Sequence, residues 1–143
     1  MIKGGFDNEG RPLILADVNA KEALNPISIR FLIDTGAINT IIMPGDASRF
    51  QVDFNSLQNA PPLQIGGGPV ACFRIEIFIS LIDRGMIYTY ITDGRIVDYR
   101  HVNVRHPSIL GQNVWGRWGL ILYPSGVEID PKKPDLMDPP QVP

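Results

Sequence analysis

Asp34, Thr35 and Gly36 are the residues of this chain best suited to chemistry. The apolar run Phe31-Leu32-Ile33 leads straight into them, and a second apolar run, Ile41-Ile42-Met43, follows almost at once. A carboxylate between two buried segments is costly unless it is hydrogen-bonded or used. Gly36 lets the backbone turn sharply and approach its neighbours closely. Thr35 offers a hydroxyl that can tie such a turn down. Sites of this kind shift a carboxylate pKa for chemistry. Two other features are weaker. The triple glycine Gly66-Gly67-Gly68 lacks the lysine and the following helix of a phosphate loop. His101 and His106 are five apart, which in a strand puts them on opposite faces, and no carboxylate or cysteine cluster accompanies them. No metal and no other cofactor is therefore expected.

The elements that must position Asp34 are short. Thirteen prolines and 14 glycines punctuate the chain into segments suited to an all-β domain. Strands are predicted at 11–19, 26–33 and 40–43. In the second of these, Ile27, Ile29 and Phe31 alternate with Ser28 and Arg30 before Leu32-Ile33 turns apolar on both faces, as in a strand entering a core. Residues 44–50 read as one helical turn with Pro44 near its start, and 55–62 as a loop. Leu63-Gln64-Ile65 and the alternating run Val70–Ile82 flank the glycines as a β-hairpin. Asp83-Arg84-Gly85 is a predicted turn, 86–92 a strand and Asp93-Gly94 a tight turn. Ser108–Tyr123 combines an apolar strand end, Gly111, a short helical stretch and a closing strand.

The 143 residues suit one modest domain. Residues 1–10 read as a flexible N-terminal segment, 11–123 as the domain, and 124–143 as a proline-rich C-terminal tail in which Val127-Glu128-Ile129 adds at most one short strand. A net charge of −2 gives no footprint for nucleic acid. The longest apolar stretch, Phe73–Ile82, is interrupted by Arg74 and Glu76 and is no membrane span, and no secretory signal is evident. The single cysteine, Cys72, excludes an internal disulfide and fits a reducing, cytoplasmic compartment; it reads as a small buried hydrophobe.

Three features in this order, an Asp-Thr-Gly loop with apolar flanks, a glycine-rich hairpin and Ile109-Leu110-Gly111 opening a short helix, resemble the retroviral-type (retropepsin-like) aspartic proteases over about residues 11–123. The resemblance implies a small closed β-barrel of the acid-protease type with a flap hairpin and one short C-terminal helix. It implies an aspartic endopeptidase in which two aspartates share one proton and activate one water. One Asp-Thr-Gly per chain then requires a homodimer that pairs Asp34 with Asp34 of the partner across a two-fold axis. Asp34 resembles the catalytic acid–base, Thr35 the hydroxyl that bonds across to the partner's loop, and Gly36 the turn glycine. Ala37, Ile38, Asn39 and Ile65, with Gly66, Gly67 and Gly68 as the flap tip, resemble the residues that hold an extended peptide or protein substrate.

The sequence departs from the retroviral pattern in two paired places. Ile38 and Asn39 replace two aspartates, and Gln112 replaces an arginine that pairs with the first of them. Losing both partners of a buried ion pair can be neutral, whereas losing one strands a charge. Ala37 lacks the hydroxyl that would lower the neighbouring carboxylate's pKa, which implies an activity optimum at about pH 5 to 6. The alternative is a retropepsin-like binding or assembly module without proteolysis. An unrelated barrel, with Asp34 a plain turn residue, would lose nothing in Asp34→Asn.

Overall fold

The computed structural model describes residues 1–65, 68–101 and 105–139. Strand β1 (Ile2–Phe6) turns into β2 (Pro12–Asn19), where Asp7 Oδ1 accepts the Glu9 and Arg11 amides at 2.9 and 2.8 Å. β3 (Ile27–Ile33) and β4 (Ile41–Ile42) flank the Asp34 loop, and helix α1 (Pro44–Phe50) follows. β5 (Gln58–Ile65) and β6 (Gly68–Asp83) make the glycine-tipped hairpin, and β6 turns through Arg84-Gly85 into β7 (Met86–Val97). Both turn residues have positive φ (50° and 77°), the turn that matches a right-twisted hairpin. β8 (Ile109–Leu110), helix α2 (Gln112–Trp115), β9 (Trp118–Tyr123), β10 (Gly126–Pro131) and β11 (Leu136–Asp138) complete the order.

Six strands close on themselves. The ring runs β2–β3–β8–β4–β7–β6 and returns to β2 through Asp17↔Ser80, Val18↔Ile79 and Asn19↔Phe78. The β3–β8 and β4–β7 pairs are parallel. Closure removes sheet edges and turns one face of every strand inward. Period-two alternation delivers Ile14, Ala16 and Val18 from β2, Ile29 and Phe31 from β3, and Ile75, Ile77 and Ile79 from β6 to that interior. Ile42, Ile96 and Leu110 join them, all at 0 % exposure. This is the expected small closed barrel.

Several boundaries differ from the sequence reading. Residues 1–10 are not a free end: Ile2, Lys3 and Gly4 pair with Ile129, Glu128 and Val127, and Gly5 and Phe6 with Leu13 and Pro12. The glycine that reads as looseness serves close approach, because a Cβ on Gly4 would run into the Leu13 carbonyl oxygen. The region beyond Tyr123 also packs. β10 buries Val127 and Ile129 between β9 and β1, and β11 lies along β7. Asp135 fastens β11: its amide donates to Thr89 O at 2.9 Å, and its Oδ2 accepts Ile91 N at 2.6 Å and Arg117 Nη1 at 2.7 Å. The expected loop at 55–62 is largely strand, since β5 begins at Gln58.

Asp93-Gly94 is no turn, for β7 runs through it. Gly94 pairs with Ile75, and a Cβ there would strike Ile77 Cδ1 and crowd Thr40 O at 3.3 Å. Cys72 is buried as expected, its thiol donating to Pro61 O at 3.1 Å, and burial pushes its pKa up. No helix among the described residues is long and apolar enough to cross a membrane.

Candidate functional site

Asp34 leaves β3 just after that strand is clasped by β8. The Leu32 amide donates to Ser108 O at 2.8 Å and the Asp34 amide to Leu110 O at 3.3 Å. Beyond Asp34 the chain curls back on itself. The Gly36 amide donates to Asp34 Oδ1 at 2.8 Å and the Ala37 amide to Asp34 O at 3.2 Å. Trp115 Nε1 donates to the same carbonyl at 3.2 Å. One carboxylate oxygen is therefore held by the loop, while Oδ2 accepts no hydrogen bond from the described residues.

Helix α2 is the other half of the frame. Gln112 N donates to Ala37 O at 2.9 Å and Asn113 N to Ile38 O at 3.1 Å. These bonds use amides of the first turn, which have no partner inside a helix. Gly111 makes the approach possible, since a Cβ there would collide with the Asn39 and Ile38 carbonyls. Thr40, fully buried, bolts the two halves together. Its Oγ1 accepts Gly111 N at 3.1 Å and donates to Asn113 Oδ1 at 2.9 Å. Asn113 Nδ2 reaches on to Asp93 O at 3.2 Å.

Thr40, Asn113 and Trp115 are positioning residues that the sequence did not single out. The available signal was slight: a hydroxyl at the head of Ile41-Ile42-Met43, and an amide just past the second landmark. Where the retroviral pattern has an ion pair, the described residues offer neutral groups. Ile38 is 71 % exposed and the Gln112 side chain is exposed. The connection is carried instead by backbone bonds and the Thr40–Asn113 pair.

The predicted site residues fall into two groups. Asp34 is half-buried, Thr35, Gly36, Ile38 and Asn39 are exposed, and Ala37 is half-buried. These share one loop. The Thr35 hydroxyl bonds to none of the described residues. Ile65 and Gly68 lie on the separate β5–β6 arm, paired with each other at its tip, and Gly68 has φ +139°. Gly66 and Gly67 lie outside the described residues. Chemically, the loop presents one carboxylate with a free oxygen on a rigid floor. Proton transfer from such a group is within its reach, and a second acid must come from elsewhere.

No protein-family model matches this chain, and no curated protein matches it significantly. Solved structures do. The chain is similar to a retropepsin-like aspartic protease from Rickettsia conorii, with a TM-score of 0.60 and 17 % identity over 89 % of this chain and 97 % of that one. It is also similar to the EIAV protease complexed with the inhibitor HBY-793, with a TM-score of 0.53 and 18 % identity over 78 % and 90 % of the two chains. The fold is therefore that of the retropepsin-like aspartic proteases.

Proposed function

We propose that this chain is one half of an aspartic endopeptidase, with Asp34 of two copies meeting on a two-fold axis. The observation that carries this reading is the Asp34 loop itself. A carboxylate is fixed by Gly36 N on a rigid floor, yet Thr35, Gly36 and the large apolar Ile38 around it stand uncovered. An exposed side chain of that size beside a held carboxylate fits a face that a partner covers. A second feature agrees. Among the described residues β9 pairs with β10 on one side only, and its Ile121, Leu122 and Tyr123 are 44 %, 50 % and 41 % exposed. An apolar free edge is suited to pairing with the same strand of a second copy, which a two-fold axis makes antiparallel.

In the dimer, two carboxylates about 3 Å apart cannot both ionise, so they share a proton. The ionised one takes a proton from water as the water attacks the scissile carbonyl. The protonated one donates a hydrogen bond to that carbonyl oxygen and stabilises the charge that develops there. The Thr35 hydroxyls bond across the axis and hold the pair in register. The β5–β6 arm closes over an extended peptide, which hydrogen-bonds as an added strand.

The test is sedimentation equilibrium beside a peptide-library cleavage assay, on the native chain and on Asp34→Asn. A dimer whose cleavage vanishes in the variant while the dimer survives supports the reading. A stable monomer without cleavage removes it and leaves a binding module on this fold. Specific activity should fall on dilution through the dimer dissociation constant. The optimum is expected at about pH 5 to 6, and a profile peaking near pH 3 contradicts the role given to Ala37.

A further inference from the structure

A broad cleft lies apart from the residues of the Asp34 loop. It measures about 780 Å³ and lies between the outer faces of β2 and β3, helix α1 and residues 105–107. Neither residues 34–39 nor Ile65 and Gly68 are among its described lining residues. A smaller depression of about 310 Å³ shares Leu13, Leu15 and Arg30 with it and extends the groove to Lys3 on β1. The two depressions adjoin through these shared residues.

The lining itself is net cationic once internal pairs are accounted for, and Asp17, which accepts the hydroxyl of the lining Ser28 at 2.6 Å, is a carboxylate at its edge. Asp46 is fully engaged: Oδ1 accepts Arg49 Nη2 at 2.6 Å and Oδ2 accepts the buried Ser108 hydroxyl at 2.6 Å. Asp7 is engaged likewise, with Oδ2 accepting Arg11 Nε at 2.7 Å and Oδ1 accepting two backbone amides. Those bonds, the Arg11 amide first, hold its carboxyl below the usual range. Arg30 and Arg105 form no ion pair among the described residues, and Lys3 forms none either, although it stands opposite Glu128 in the β1–β10 register. The groove is thus cationic on a chain whose net charge is −2. Between the cations lies Leu15, 58 % exposed and paired across the strands with Arg30. Leu13 and Pro107 extend this apolar strip.

We infer that this groove binds an extended acidic peptide segment carrying apolar side chains, at a site separate from the Asp34 loop. Guanidinium forks recognise carboxylates in bidentate geometry, and unpaired arginines lose no internal ion pair by doing so. The strip at Leu13 and Leu15 takes a leucine-like side chain between two acids. The acidic chain as a whole and the exposed leucine disfavour nucleic acid, which needs a broad cationic surface. The inference does not rest on proteolysis.

The test is fluorescence anisotropy with a fluorescein-labelled Asp-Leu-Glu-Asp-Leu-Asp peptide. The full chain carries Asp34→Asn so that the probe stays intact. Saturable binding is expected at about 10–100 µM, in the range of weak peptide docking. Arg30→Glu with Arg105→Glu should weaken it at least about tenfold, since each reversal replaces a charge-assisted contact by repulsion. Both side chains are exposed and unpaired, so the variant folds, which circular dichroism checks. Leu15→Ser should weaken binding about threefold or more, through lost apolar contact. No saturation below about 1 mM, or an affinity indifferent to the charge reversal, overturns the proposal. So does tighter binding of a poly-dT oligonucleotide to the same arginines, which would make the groove a nucleic-acid site.

Discussion

Replacing Thr40 by Val keeps the shape of the side chain and removes only its hydroxyl. Thr40 is 0 % exposed, and its Oγ1 is the acceptor for the Gly111 amide and a donor to Asn113 Oδ1. The substitution leaves a buried N–H unsatisfied, at about 1–3 kcal/mol. Asn113 is only half-buried, so its oxygen finds water and adds about 0.5 kcal/mol or less. The new methyl returns under about 1 kcal/mol of burial. The net is a loss of about 2 kcal/mol, or about 4–8 °C in Tm for a domain of this size. Urea unfolding at one fixed protein concentration measures it, because association would make the midpoint concentration-dependent. Thr40→Ser, which keeps the hydroxyl, should fall well short of that loss. Amide exchange at Gly111 should accelerate in the Val variant and not in the Ser variant. A Thr40→Val protein within about 0.5 kcal/mol of native, with Gly111 still protected, would refute the idea that this hydroxyl joins the Asp34 loop to α2.

Three further outcomes follow from the same structure. Gly94→Ala places a methyl against Ile77 and Thr40 O and should cost about 1–3 kcal/mol in urea unfolding. Asp135 is held below its ordinary pKa by the Ile91 amide first and Arg117 second. Its contribution is therefore present above about pH 4 and lost as pH falls through the lowered folded value. Proton NMR of the residue-135 and Ile91 amides should report β11 loosening in acid, and Asp135→Asn should remove that titration. Tyr90, buried and donating to Lys132 O at 2.9 Å, is pushed up to about 12 chiefly by burial. Its contribution is complete below pH 10 and lost as pH rises through about 12. Tyr90→Phe should flatten that alkaline limb of a stability–pH curve.

Local pattern carried much of the barrel. Alternation in β2, β3 and β6 needs only neighbours two apart, and in each strand those neighbours face the same interior. Asp34 was legible for a similar reason, as a carboxylate at the end of a strand that turns apolar on both faces. Glycine was the least legible residue. Gly4 and Gly94 read as looseness and as a turn, yet each lies in a strand where another element presses close. That is a fact about a distant segment, and no local window contains it.

What the sequence determined alone is the set of strands around Asp-Thr-Gly and the second landmark at Ile109-Leu110-Gly111, because side-chain period and turn chemistry are local. Tertiary structure decided how the pieces lock. Thr40 and Asn113 become partners across 73 residues, and Trp115 reaches Asp34 across 81. β1 and β11 become sheet strands only because β10 and β7 offer unpaired backbone in the right register. Buried amides must find acceptors wherever the fold provides them, and closure of the barrel fixes where that is.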